Sequence, residues 1–241
     1  MRYTINMIIW EGSSLIDGKA IVAIVTFNSN NSKTGGMPQI WILRSDLHPT
    51  EALRTGEDRS ICGDCKFRPT ELGDNALKKS SRKCYVNTMP MNAIFKKYAK
   101  GEYKKCTLDQ VAKKLKGQHV RLGAYGDPAA VPIEVWDTIL KNCKSTGYTH
   151  QWKTCNPAYA NYCMASCDNP IEVTLAKNAG YRSFFVQNVD DYSNIQKNIS
   201  GIKLANCPAS KEMGKSTICQ LCMVCSGTRS GLKSNITIAV H

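Results

Sequence analysis

The residues of this chain whose types and spacing suit them best for chemistry are its cysteines. One set reads Cys62-Gly63-Asp64-Cys65, followed after eighteen intervening residues by Cys84 in the stretch RKCYVN. The other reads Cys207-Pro208 and then Cys219-x-x-Cys222-x-x-Cys225. Thiols two residues apart can point at one soft cation, because the intervening turn brings both sulfurs within bonding distance and aims backbone N–H groups at them. The C-terminal set places four cysteines within nineteen residues, which suits a cubane 4Fe-4S cluster or a zinc ion. Zinc usually takes two well-separated pairs, whereas three thiols in tight succession with a nearby Cys-Pro favour iron–sulfur.

The first set has three thiols, Cys62, Cys65 and Cys84, and leaves one metal position open. At a cluster, an open iron can bind substrate or cofactor; at zinc, an open position holds a catalytic water. A fourth ligand from Cys106, Cys155, Cys163, Cys167 or a histidine would instead close the site and make it structural. Cys143 lies on the apolar face of an expected helix and reads as a buried core thiol. The chain carries no Ser/His/Asp order, no HExxH and no phosphate-binding glycine loop.

With 241 residues and no low-complexity tract, the chain can bury a full core. The start, MRYTINMIIWEGSS, lacks the basic region and long apolar run of a signal peptide, and the longest apolar stretch, Ala20 to Phe27, is far too short to cross a bilayer. A cytoplasmic protein with no membrane partner is therefore expected, its twelve cysteines serving as reduced thiols and metal ligands and not as a disulfide framework. The formal net charge of +13, concentrated in KKSSRK, KKYAKGEYKK and KKLK, admits an anionic partner such as nucleic acid. Metal-bound thiolates would cancel part of that excess, and much of the lysine reads as solvated helix face.

The chain opens with β-rich runs at Asn6 to Trp10, Ala20 to Phe27 and Gln39 to Arg44, with a polar loop at Asn28 to Gly36. After the first cysteine set come a helix at Met91 to Tyr98 and another starting at Thr107, where Thr107 and Gln110 are spaced as a capping box and Gly117 is the stop. Strands are expected at His119 to Ala124, Tyr148 to Trp152, Tyr162 to Ala165, Arg182 to Val186, Ile202 to Asn206 and Asn235 to Val240. Helices are expected at Pro132 to Lys144, from Asn169-Pro170 to Gly180, and more weakly at Val189 to Asn198. This alternation predicts an α/β fold with a largely parallel sheet: an incomplete (β/α) TIM-like barrel over residues 59–241 carrying the cysteine-rich loops, behind a β-rich N-terminal extension over residues 1–58. An open doubly wound sheet is the alternative.

In such folds functional groups gather beyond the C-terminal ends of the strands. Five consecutive expected strands end in Gly126-Asp127-Pro128, Cys155-Asn156, Cys167-Asp168, Gln187-Asn188 and Cys207-Pro208, so a site on that rim is expected. Asp127 is the best carboxylate candidate for polar recognition, and His150 within YTHQW reads as an ordinary hydrogen-bonded histidine.

The stretches SICGDCKFRP, RKCYVN, RLGAYGDPAAVP, GYTHQW and CPASKEMGKSTICQLCMVCSG resemble those of an uncharacterised cysteine-rich family found in phage and plasmid genomes, which implies expression in a host cell but no established activity. A looser resemblance is to the radical S-adenosylmethionine enzymes, which have a partial barrel, a three-cysteine cluster with one open iron and a Gly-Gly-Glu-Pro-like strand end that holds the methionine amino group. Those enzymes typically use C-x3-C-x2-C, and this chain has C-x2-C-x18-C. The resemblance implies that Gly126, Asp127 and Pro128 contact S-adenosylmethionine, with one 4Fe-4S cluster on Cys62, Cys65 and Cys84 and a second on Cys207, Cys219, Cys222 and Cys225. An iron–sulfur protein acting on a small-molecule or macromolecular substrate is the first expectation. A zinc-stabilised, basic nucleic-acid-binding protein is the second.

Overall fold

A computed structural model describes residues 6–27, 29, 31–189 and 191–240; of the polar loop expected at 28–36, Asn28 and Asn30 lie outside the described residues. The elements are, in order, β1 (Met7–Ser13), β2 (Ala20–Thr26), β3 (Gln39–Arg44), α1 (Pro49–Thr55), α2 (Arg59–Cys62), α3 (Thr88–Ala99), β4 (Lys104–Lys105), α4 (Leu108–Leu115) and β5 (His119–Tyr125). They continue as α5 (Ile133–Ile139), β6 (Lys144–Thr146), β7 (Tyr148–Thr149), β8 (Met164–Cys167), α6 (Pro170–Asn178), β9 (Ser183–Gln187), β10 (Asn198–Ile199), β11 (Ile202–Asn206), α7 (Cys219–Cys222) and β12 (Asn235–Ala239).

The strands form two sheets of six, ordered β4-β1-β2-β3-β5-β6 and β10-β11-β12-β9-β8-β7. Pairing is antiparallel from β1 through β3 and between β10 and β11, and parallel along β3-β5-β6 and along β7-β8-β9-β12-β11. Only Gly147 separates β6 from β7, so the two parallel runs meet at one residue. The architecture is mixed α/β, and among the described residues no closed barrel forms. No helix among them is long and apolar enough to cross a membrane.

Side chains alternate across a strand with a period of two, and here the two faces bury different things. One face of the second sheet gives Ala165, Cys167 and Phe185 to the main core, where α5 and α6 bury Trp136, Ile139, Val173 and Ala176. The opposite face gives Met164, Phe184, Ile236 and Ile238 to a smaller cluster completed by Cys207 and Ala209, with Cys219, Val224 and Cys225 packed against it. The C-terminal cysteine loop is thus the cover of the sheet's second face.

Local signals explain most boundaries. The Thr107 hydroxyl accepts from Gln110 N–H, and the Gln110 side chain accepts from Thr107 N–H, a capping box at the head of α4. Asn169 caps α6 through Glu172 N–H. Three expectations require correction. The helix expected to reach Lys144 stops at Ile139, because Gly117 N–H bonds to Asn142 and Lys144 N–H to Gln118, turning the chain into β6 beside β5. The strand expected through Trp152 ends at Thr149, whose hydroxyl accepts from Gln151 N–H and starts a 3-10 turn at Gln151–Lys153. The helix expected at Val189 to Asn198 is a single 3-10 turn at Tyr192–Asn194, followed by β10. There the Gln187 side chain bonds both the N–H and the carbonyl of Gln196, holding the segment extended.

Candidate metal centre

Cys62 ends α2, and the next residue, Gly63, has φ +57°, a conformation that glycine adopts at no steric cost. A Cβ there would overlap the Gln151 amide, whose Nε2 reaches the Cys62 carbonyl at 3.4 Å. Cys65 N–H donates back to the Cys62 carbonyl at 3.3 Å, and Cys84 N–H to the Phe67 carbonyl at 2.9 Å. This backbone bridge closes the long gap in the sequence and brings the third cysteine beside the first two. A buried ion pair ties the loop down: both carboxylate oxygens of Asp58, which is 1% exposed, accept from Arg68 at 2.7 and 2.9 Å. The same guanidinium donates to the carbonyls of Gly56 and Gly63.

Cys62, Cys65 and Cys84 are electrostatic neighbours. Burial pushes the Cys62 thiol well up, and Asp58, Cys65 and Cys84 add to the rise. Burial likewise pushes Cys65 up to about 12; the Phe67 N–H works against it, while Cys84, Asp127 and Asp168 reinforce it. Asp127 and Asp168 follow the C-terminal ends of β5 and β8, so the first set stands at the strand-end rim.

At that rim the Asp127 carboxylate is engaged by the protein itself. It accepts from Ala129 N–H at 2.9 Å and from His150 N–H at 2.7 Å, while Asp127 N–H donates to the Ile61 carbonyl at 2.6 Å. Burial is the largest influence and raises its pKa despite those donors. Gly126 has φ +80° and packs its backbone onto Ile42, and Pro128 is buried with its carbonyl accepting from the Trp136 indole. The Gly126-Asp127-Pro128 stretch therefore clamps β5, β7 and the first cysteine loop together. Nearby, Asp168 Oδ1 lies 4.0 Å from His150 Nε2 and pairs with Lys66 Nζ at 3.5 Å, while His150 Nε2 and the Tyr125 hydroxyl are buried without a hydrogen bond.

The second set is assembled from two segments. Cys207 follows β11 and donates its N–H to Thr237 in β12. Cys219 and Cys222 begin and end α7, whose approach is fixed by Cys219 N–H on the Lys33 carbonyl, Gly36 N–H on Gln220 Oε1 and His119 Nδ1 against the Gln220 carbonyl at 2.6 Å. Arg182 gathers the stretch after it, donating to the carbonyls of Val224, Ser226 and Ser234. Burial raises the Cys207 thiol, with Cys219 and Cys222 contributing. Burial also takes Cys225 to about 12, opposed by the Tyr148 hydroxyl and reinforced by Cys207 and Cys219.

A polar seam that the strand patterns did not reveal lies between the two sets. Tyr85 follows Cys84, and its hydroxyl accepts from Arg121 Nη2 at 3.0 Å. The Arg121 guanidinium lies over the Tyr148 ring, 4.5 Å from its centroid, and Tyr148 stacks on Phe184 with centroids 4.0 Å apart. Tyr85 feels Cys84, Cys65 and Cys219, so it stands within reach of both sets. The available signal was an arginine inside the apolar run HVRLGA, a buried charge that needs a reason.

The remaining thiols pack elsewhere. Cys143, Cys163 and Cys167 are buried in the main core, Cys106 and Cys155 lean on it, and Cys143 Sγ donates to the Leu115 carbonyl. Among the described residues, no three His, Cys, Asp or Glu side chains are drawn in tightly enough to grip a single metal ion. Thiolates around one tetrahedral zinc stand about 3.8 Å apart, as Zn–S bonds of about 2.3 Å require. No protein-family model matches the chain, and neither a curated protein nor a solved structure matches it.

Proposed function

We propose that this chain is an iron–sulfur protein, with Cys62, Cys65 and Cys84 holding a 4Fe-4S cluster that keeps one iron open and Cys207, Cys219, Cys222 and Cys225 holding a second, closed cluster. What supports the reading is that the thiols of each set act on one another electrostatically, Cys84 on Cys62 and Cys65, and Cys219 and Cys222 on Cys207. Buried thiols with raised pKa values remain protonated at neutral pH, and a bound cation deprotonates its thiol ligands outright. The ligand type is the one such a group takes, since iron–sulfur clusters are held by cysteine thiolates.

The run of parallel strands on either side of Gly147 reads as an incomplete barrel, and on it we place radical S-adenosylmethionine-like chemistry. A reduced cluster with an open iron would supply one electron to cleave the cofactor. The protein's own part is positional. Asp127 fixes the first cysteine loop to β5 and β7, and His150 Nε2, buried without a hydrogen bond, leaves hydrogen-bonding capacity beside it.

Anaerobic purification followed by iron and acid-labile sulfide analysis tests the clusters, with a charge-transfer band expected near about 400 nm. Incubating the reduced protein with S-adenosylmethionine tests the chemistry through appearance of 5′-deoxyadenosine. Stoichiometric zinc with neither iron nor sulfide would overturn the proposal in favour of a metal-stabilised, basic nucleic-acid-binding protein. For that second reading the exposed Lys78, Lys79 and Lys83, on the loop leading to Cys84, are the phosphate contacts, and salt-sensitive binding would follow.

A further inference from the structure

Arg121 is 7% exposed in a strand that otherwise buries apolar residues, yet it forms no salt bridge with any carboxylate among the described residues. The groups that act on it most are the phenols of Tyr85 and Tyr148 and the thiol of Cys219. A guanidinium carries five N–H donors in a fixed fork, and those two phenols occupy at most two of them. A buried charge without a counter-charge is costly, and proteins keep one where something else supplies the opposite sign. Tyr85, whose hydroxyl accepts from Arg121, is itself 75% exposed and so connects the guanidinium to the surface. Its neighbour on the other side, Tyr148, fixes the guanidinium plane by stacking.

We infer that Arg121, Tyr85 and Tyr148 form an oxyanion-anchoring subsite between the two cysteine sets, and that the substrate carries a carboxylate or phosphate group beside a planar moiety. The planar part follows from the exposed ring of Tyr85, which offers a stacking surface next to the fork. The anion follows from the unused donors, since a guanidinium fork matches the paired oxygens of either group. The inference rests on the proposed reading only for what the substrate is there to do; the anchoring itself needs no metal. Its competitor is a purely structural role, in which Arg121 neutralises the negative charge of metal-bound thiolates.

The test is calorimetric titration of the anaerobically purified full chain with phenyl phosphate and, separately, with benzoate, iron being measured on the same samples. Saturable binding of about one equivalent of either probe is expected, and the preferred arm tells phosphate from carboxylate. Arg121→Gln should weaken it about 10- to 100-fold, the loss of charge-assisted hydrogen bonds. Arg121→Lys keeps the charge without the fork, so it should retain iron and fold while still binding more weakly than wild type. Lys203→Gln, in the separate basic hollow lined by Lys177, Lys203 and Lys233, should leave binding unchanged. Wild-type protein that binds neither probe overturns the inference, as does equal binding by a folded Arg121→Gln or Arg121→Lys. Arg121-dependent binding in protein without iron would uphold the subsite while removing the cluster reading.

Discussion

The N–H of Gly147 donates to the carbonyl of Cys225 at 3.1 Å, so the residue at which the two parallel runs meet is also an anchor of the C-terminal cysteine loop. A side chain at Gly147 would be tight: a Cβ would stand 3.0 Å from Leu122 Cβ and 3.2 Å from Cys163 Sγ, so both would have to give by a few tenths of an ångström. Gly147→Ala should therefore cost about 1–3 kcal/mol of stability through overpacking, read from the urea midpoint. Because the strain falls at the Cys225 anchor, the C-terminal cysteine loop should become reactive to a thiol reagent before the first cysteine loop does. Unchanged stability would mean that the seam yields freely.

Single cysteine substitutions should separate ligands from bystanders. Cys84→Ala and Cys222→Ala should each remove about half of the bound iron if each set holds its own cluster. Cys143→Ala and Cys167→Ala should leave iron content intact, because both thiols pack in the main core. Iron lost in all four alike would indicate a general loss of folding, and circular dichroism on the same samples would show it.

The alternation of strand and helix was legible from local pattern, as was the capping box of Thr107 and Gln110, because a helix start is written in four adjacent residues. The cysteines of both sets are marked by residue type and spacing, but spacing does not fix how closely their sulfurs converge, and among the described residues no three His, Cys, Asp or Glu side chains are placed to hold one metal ion. Arg121, Tyr85 and Tyr148 were not legible. They meet only because β5 pairs with β6, which Gly147 joins to β7, and because a long loop returns Cys84 to Phe67, and neither pairing has a local signature. The segment at Val189 to Asn198 misled for the opposite reason: its local pattern was outbid by the tertiary bonds of the Gln187 side chain. Rim position misled too, since Cys167 ends a strand there but turns its thiol into the main core.

The ion pair of Asp58 with Arg68 should govern the order of the first cysteine loop. Removing one partner of a buried pair leaves the other charge unpaired and costs about 3–5 kcal/mol. Asp58→Ala should show that loss, together with faster reaction of Cys62, Cys65 and Cys84 with a thiol reagent. Labelling followed by mass spectrometry would locate the change, and Cys143 should stay protected. Uniform labelling of every cysteine would mean that the effect is global.

A pH dependence follows from His48, whose Nδ1 accepts from Thr50 N–H at 3.3 Å and so caps α1 only while unprotonated. Burial lowers its pKa, and Lys96 and Arg54 push the same way. The unfolded chain then takes up its proton first, near the ordinary histidine value of about 6.5, while the folded chain resists until lower pH. The folded state binds fewer protons over that interval, so this contribution to stability is complete above about pH 6.5 and is lost as pH falls toward the lowered folded value. His48→Asn keeps a capping side chain that does not titrate. The difference in Tm between the two proteins should be constant from about pH 8 to 7 and should move in favour of the asparagine variant as pH drops below about 6.5. Comparison at each pH cancels the contributions of other groups, including the buried His150. Two curves that run parallel down to about pH 5 would show that the cap contributes nothing that protonation removes.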